Sequence, residues 1–265
     1  MSKQILAKSI GFGLVVFAVI FSAHSVWAQR AETPTAKQLF EQGNAAYKEG
    51  KYEAAIGHYE NVIRLNLENG DLYYNLGNSY FKKGELGKAV LSYEKALFFI
   101  PGDSDLRSNY AYVLSLLNLG PQPFGNWAER FANRLFEDAT INFLTVFLFV
   151  IYFLTVAILM CYLFFASFRR SIRILFFVFT IVFILSAISL NSKITYLTKG
   201  AIVLVKEADV KFEPAESATT YFKLTEGSKV EIAEKAENWY KIKRPDGKIG
   251  WVSKKDLGLI LNLSE

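Results

Sequence analysis

A chain of 265 residues that is 52% apolar and carries a formal net charge of +5 has room for two or three small units, and its apolar content agrees with a soluble protein carrying a membrane insert. Its basic excess excludes an extended nucleic-acid face: residues 29–138 hold 12 Lys/Arg against 14 Asp/Glu, residues 201–265 hold 11 of each, and the other seven bases flank apolar runs. One cysteine, Cys161, and two histidines exclude an intramolecular disulfide and a His/Cys metal centre, so no cofactor is expected.

At the N-terminus, Lys3 and Lys8 precede an apolar core from Ile10 to Phe21, and Val26 and Ala28 stand at the −3 and −1 positions of a cleavage site. Residues 1–28 read as a secretory signal peptide; the other reading is an uncleaved anchor made from the 21 uncharged residues 9–29. Both readings export the chain from Arg30 onward.

Residues 36–119 contain a repeat. Gly43, Gly50, Ala55 and Tyr59 recur 34 residues later as Gly77, Gly84, Ala89 and Tyr93. Each unit, 36–69 and 70–103, predicts helix, turn, helix: the small residues allow close approach and the tyrosines fill the gap. A third helix, starting at Asp103 or Ser104 and running through Leu117, caps the short solenoid.

This pattern resembles the tetratricopeptide repeat family. The first unit departs from it at Gln42, Ala46, Val62 and Leu67, the last standing where Pro101 stands in the second unit. The resemblance implies a concave, peptide-binding face on the first helix of each pair, with Phe40, Asn44, Tyr47, Lys48, Tyr74, Asn75, Asn78, Phe81 and Lys82 as the candidate partner-binding residues and Asp71 at its edge. The asparagines can pair with both edges of an extended peptide's amides. The same residues read equally well as consensus positions without a ligand. In the carboxylate-clamp subfamily a lysine stands four residues before the first asparagine; here that position is Phe40, and Asp105 and Asn109 replace the basic pair, so capture of a free C-terminus is not expected.

Between Gly120 and Asp138 the chain breaks at Pro121 and Pro123. It then offers Phe124, and Trp127, Phe131 and Leu135 at helical spacing, flanked by Arg130 and Arg134. An amphipathic helix on a membrane surface fits this pattern; packing against the repeats is the alternative.

Two apolar runs come next. Residues 139–168 carry no charge for 30 residues, and residues 174–192 none for 19, enough for two crossings of a ~30 Å hydrocarbon core. Arg169, Arg170 and Arg173 between them predict a short cytoplasmic loop, 169–173, which places the repeats and the C-terminal region together on the far side. A buried hairpin in a soluble core would need apolar partners that the rest of the chain lacks.

After a tether of about ten residues, residues 201–260 alternate apolar and polar positions in about five short strands, with turns at 226–228 and 245–247, which predicts a small barrel. Trp239 to Ile242, then Asp246 to Val252, read WYKI and DGKIGWV and resemble the bacterial SH3-like domain. Val210 to Pro214 departs from the VRSGP of many members. Trp239 and Trp251 read as core residues or as the wall of a cell-wall or peptide groove.

Catalytic chemistry finds little here. His58 lies on a scaffold helix with no nucleophile motif nearby, and the GELGK of Gly84 to Lys88 has the wrong spacing for a phosphate loop. No enzyme activity is expected.

The fold class is thus a multidomain membrane protein: an all-α tetratricopeptide repeat solenoid, a two-helix transmembrane hairpin and a small all-β SH3-like barrel. This order resembles the BatE-like family of the Bacteroides aerotolerance (Bat) operon. The resemblance implies a bacterial inner-membrane protein facing the periplasm, a scaffold beside von Willebrand A-domain proteins and a MoxR-type ATPase in aerotolerance or envelope stress. The alternative is peptidoglycan binding or sensing through the barrel.

Overall fold

The computed structural model describes residues 34–120, 125–164 and 169–261. The expected signal peptide or anchor, with its cleavage site after Ala28, lies outside these residues, as do Pro121, Pro123 and Phe124.

Five helices form the first unit: α1 (Pro34–Lys48), α2 (Tyr52–Arg64), α3 (Gly70–Lys83), α4 (Leu86–Phe99) and α5 (Ser104–Leu116). The repeat rests on two glycine–tyrosine contacts. A Cβ on Gly43 would lie 2.5 Å from the Tyr59 ring, and one on Gly77 2.6 Å from the Tyr93 ring, so only glycine admits the fully buried tyrosine of the paired helix. Gly84, at φ +84°, ends α3 in the left-handed conformation that lets the chain reverse. Asn69 and Asp103 cap α3 and α5 by accepting from the amides of Leu72 and Leu106, which fixes the start of the capping helix at the residue expected.

A short helix, α6 (Trp127–Leu135), opens with Asn126 and Glu129 in a reciprocal capping box. It packs on the second apolar helix and not on the repeats: Ala132 is buried, and Asn133 exchanges hydrogen bonds with Ser189 and Ser192. Its apolar stripe faces outward, with Trp127 81% exposed.

The apolar runs form α7 (Ile141–Phe164) and α8 (Arg169–Lys199), both long and apolar enough to cross a membrane. Phe149, Phe153, Phe177 and Ile181 are exposed on their outer faces, and Tyr152 meets Phe183 between them. Two corrections arise here. Residues 169–173 are the first turns of α8 and not a loop, because three arginines without a proline or glycine leave helix propensity intact. The expected tether is also absent: α8 runs unbroken to Lys199 and hands over directly to a strand at Gly200.

The C-terminal unit has seven strands, two more than the alternation predicts: β1 (Gly200–Val203), β2 (Glu207–Lys211), β3 (Thr220–Thr225), β4 (Lys229–Lys235), β5 (Trp239–Lys243), β6 (Ile249–Ser253) and β7 (Leu257–Leu259). They form one antiparallel sheet in the order β3-β2-β6-β5-β4-β1-β7. All seven contribute to a single core around Val203, Val210, Ile242 and Val252, so the sheet curls on itself. The two expected turns fall at Gly227 and Gly247, both at positive φ.

Candidate functional site

Each repeat carries the same polar unit on its concave side. The Tyr59 hydroxyl donates to Asn44 Oδ1 at 2.7 Å, and Asn75 Nδ2 donates to the same oxygen at 3.0 Å. One period later the Tyr93 hydroxyl and Asn109 Nδ2 donate to Asn78 Oδ1, at 2.7 and 3.1 Å. Asn109 Nδ2 also reaches the Tyr74 hydroxyl at 2.9 Å. The carbonyl oxygens of Asn44 and Asn78 are therefore used inside the scaffold, which corrects the expectation that these side chains offer both edges. What remains for a ligand is their Nδ2 groups and the Oδ1 atoms of Asn75 and Asn109, none of which has a hydrogen-bond partner among the described residues. Donor and acceptor thus alternate along α1, α3 and α5 in the way an extended peptide backbone does. The sequence holds this signal, since Asn44, Tyr59 and Asn75 recur at +34 as Asn78, Tyr93 and Asn109, but the third member reads there only as a missing basic residue.

Burial of the tyrosines pushes the Tyr59 and Tyr93 hydroxyls well above their ordinary range, so they remain donors at any working pH. The other candidates frame this ladder. Phe40 tilts against Tyr59 and Tyr47 meets Tyr52 edge-on, while Phe81 meets Tyr112 edge-on with Lys82 beside its ring. Lys48 is exposed at the end of α1. His58 on α2 has its Nδ1 buried without a hydrogen-bond partner among the described residues.

Behind the groove the structure holds something the sequence did not disclose. The sheet unit docks on α4, the second helix of its pair, on the side away from the ladder. Ile202 and Ile260 belong to the core of the repeats. Three glycines permit the contact: a Cβ on Gly87 would lie 2.8 Å from the Val203 carbonyl oxygen, one on Gly258 2.5 Å from Leu91, and one on Gly227 2.5 Å from Leu117. Glu226 accepts from the Gly87 amide at 2.7 Å, capping α4 from 139 residues away.

Glu94, on α4 and 5% exposed, sits at the centre of this joint. Its carboxylate accepts from the Tyr110 hydroxyl on α5 and from the Tyr196 hydroxyl on α8 at 2.8 Å, and pairs with Lys229 of β4. The ammonium lies over both rings, 5.3 and 5.7 Å from their centres. Repeats, second apolar helix and sheet are thereby joined at one buried charge. Burial, with Glu94 adding to it, pushes the Tyr110 hydroxyl well above its ordinary range.

On the sheet's far side, Phe212 and Tyr221 lie with ring centres 4.5 Å apart at a 34° tilt and are both exposed, and Arg244, itself paired with Asp246, and Lys248 stand over Phe222. Trp239 is buried, and Trp251 is partly buried with Lys241 over its ring.

Comparison with known proteins agrees with this division. Residues 40–104 match the tetratricopeptide repeat family and residues 206–258 match the bacterial SH3 domain family, so both modules are present. Among curated relatives, the chain is 34% identical over 77 residues to Hsp70-Hsp90 organizing protein 1 of Glycine max, which is 29% of this chain and 13% of that protein. It is 39% identical over 56 residues to a TPR repeat-containing protein of Methanocaldococcus jannaschii, 21% of this chain and 10% of that one. The likeness spans about an eighth of those relatives or less, and both modules are of a kind that typically binds and does not catalyse.

Proposed function

We propose that this protein is a membrane-anchored adaptor that holds an extended segment of a partner protein in its repeat groove. The observation that supports this most is the repeated Tyr–Asn–Asn unit, which presents alternating donors and acceptors in a half-buried row and is kept in place by buried tyrosines. Pre-orientation of this kind lowers the ordering cost of binding. The apolar helices α7 and α8, exposed along their length, serve as the membrane anchor, with the arginines of α8 on the cytoplasmic side and both modules in the periplasm. The partner class comes from the resemblance to the BatE-like family: von Willebrand A-domain membrane proteins served by a MoxR-type ATPase, in an aerotolerance or envelope-stress complex.

The test is capture of such a partner by the Asn44→Ala, Asn78→Ala double variant. Those side chains also satisfy buried hydroxyls, so the comparison is made in a Tyr59→Phe, Tyr93→Phe background that orphans none. Loss of each groove contact costs about 1 kcal/mol, or roughly fivefold in affinity per site. Unchanged capture with helicity intact would remove the groove from the account.

A second reading has its own observation. The exposed Phe212–Tyr221 pair suits a wall polymer with sugar faces, Lys248 stands over the neighbouring Phe222, and bacterial SH3 domains suggest peptidoglycan binding. Sedimentation of the full chain with isolated sacculi, lost in a Phe212→Ala, Tyr221→Ala variant, would favour it.

A further inference from the structure

Between the repeats and the roots of the apolar helices lies a cleft of about 680 Å³, within the range of small-molecule sites. We infer that it takes one acyl chain of a bilayer phospholipid; this rests on the reading of α7 and α8 as membrane spans. The upper wall is Leu97 and Phe98 of α4 with Ala111 and Leu114 of α5, and the lower wall includes Ala139 and Ile141, where the first apolar helix begins. Tyr196 and Leu197 of α8 close one side. The cleft therefore opens at the level where hydrocarbon would start, and its walls continue the apolar surface of the spans.

Charge decides the class of occupant. Every ionisable group on the wall is already partnered. Glu94 is held by Tyr110, Tyr196 and Lys229; Arg107 by Glu137, Asp138 and the Pro101 carbonyl; and Lys193 donates to the carbonyls of Phe136 and Ala139. No cation of the wall is left to select a phosphate or a carboxylate, and what remains unfilled is apolar. A peptide would bring amides that this wall cannot satisfy. An acyl chain brings none, and a lipid reaches the cleft without leaving its leaflet. The position also has a reason in the repeat: Ala111 stands 34 residues after Gly77, where a further repeat would seat its next tyrosine, and α8 covers only part of that face.

The full chain in its native membrane is exposed to a phospholipid bearing a diazirine midway along one acyl chain, irradiated, and the adducts mapped by peptide mass. The expected result is label on α4–α5 peptides around Leu97 and Leu114 as well as on the outer faces of α7 and α8. Ala111→Trp, which fills the cleft from its upper wall, should lower the first at least about fivefold and leave the second unchanged. Label confined to α7 and α8 overturns the cleft while sustaining the spans, whether water or another part of the chain fills it. Label on α4–α5 that Ala111→Trp does not lower, or that only a diazirine fatty acid produces, also overturns the proposal. Release of the protein by alkaline carbonate, with no label anywhere, overturns the spans and the cleft together.

Discussion

Removing one member of a buried charge pair costs more than the pair itself contributes, because the survivor stays buried without compensation. Glu94 and Lys229 are such a pair. Glu94→Gln keeps one acceptor oxygen, puts an NH2 where the second tyrosine donates and strands the ammonium, and should lower stability by about 3 kcal/mol, somewhat less if Lys229 bends out to water. Exchanging both partners, Glu94→Leu with Lys229→Met and with Tyr110→Phe and Tyr196→Phe, should recover most of that loss. Thermal unfolding of the solubilised chain measures both, and equal losses in the two variants would mean that the charge is not what joins the modules. A pH effect belongs at this scale too. Burial holds the hydroxyls of Tyr59, Tyr73, Tyr80, Tyr93 and Tyr110 above their ordinary range. An unfolded chain releases tyrosine protons near pH ~10 while the native repeats keep these, so their contribution is complete below pH ~10 and falls as pH rises further. Tyrosinate absorbance should show this group ionising only with unfolding; ionisation of all 14 tyrosines near pH ~10 with helicity retained would contradict it.

The continuity of α8 into β1 decides how the modules behave as elements. A flexible tether would let the sheet unit swing away from the repeats; a helix that ends at the sheet's first residue, with Tyr196 and Leu197 packed against the core of the repeats, holds it in one place. Gly87→Val tests the contact, since its Cβ would meet the Val203 backbone, which cannot turn aside as a side chain can. The expected outcome is a sheet unit displaced from α4, seen as a broadened spin-label distance between α1 and β6, with helix content nearly unchanged. A narrow, unaltered distance would show that the docking tolerates the clash. Much of this layer was legible in the chain and some was not, for a physical reason. The Gly–Tyr period, the cap at Asp103, the apolar helices and the glycine turns are local signals, written within a few turns or one repeat. The tail of α8, from Asn191 to Lys199, reads as a linker because its apolar residues thin out, yet it has no proline or glycine to stop the helix. Its stabilising contacts come from Glu94, 102 residues earlier than Tyr196, and no local pattern reports a partner at that distance. The outward stripe of α6, with Trp127, Phe131 and Leu135 exposed, could be read from its spacing; the polar contact that aims it, Asn133 on Ser189 and Ser192, could not.

Taken whole, the molecule carries its two binding modules at one end of an apolar helix pair, fixed to each other through Ile202, Ile260 and the Glu94 joint, with the groove on the opposite side of the repeats from the sheet. On the proposed reading of α7 and α8 as spans, a partner anchored in the same membrane would meet that groove at high effective concentration, so modest contacts along the asparagine ladder would suffice for a stable complex. The fixed geometry narrows which partners fit, because groove and sheet cannot rearrange independently around them. A photoreactive residue placed at Asn78, in a Tyr93→Phe background that leaves no buried hydroxyl orphaned, tests this most directly in the living cell, with the captured species identified by mass. The adaptor account predicts one predominant adduct with a membrane-anchored protein, joined through an extended segment and lost when the same residue is placed at exposed Phe212 instead. Adducts formed only from Phe212, and with wall material in place of a protein, would contradict it.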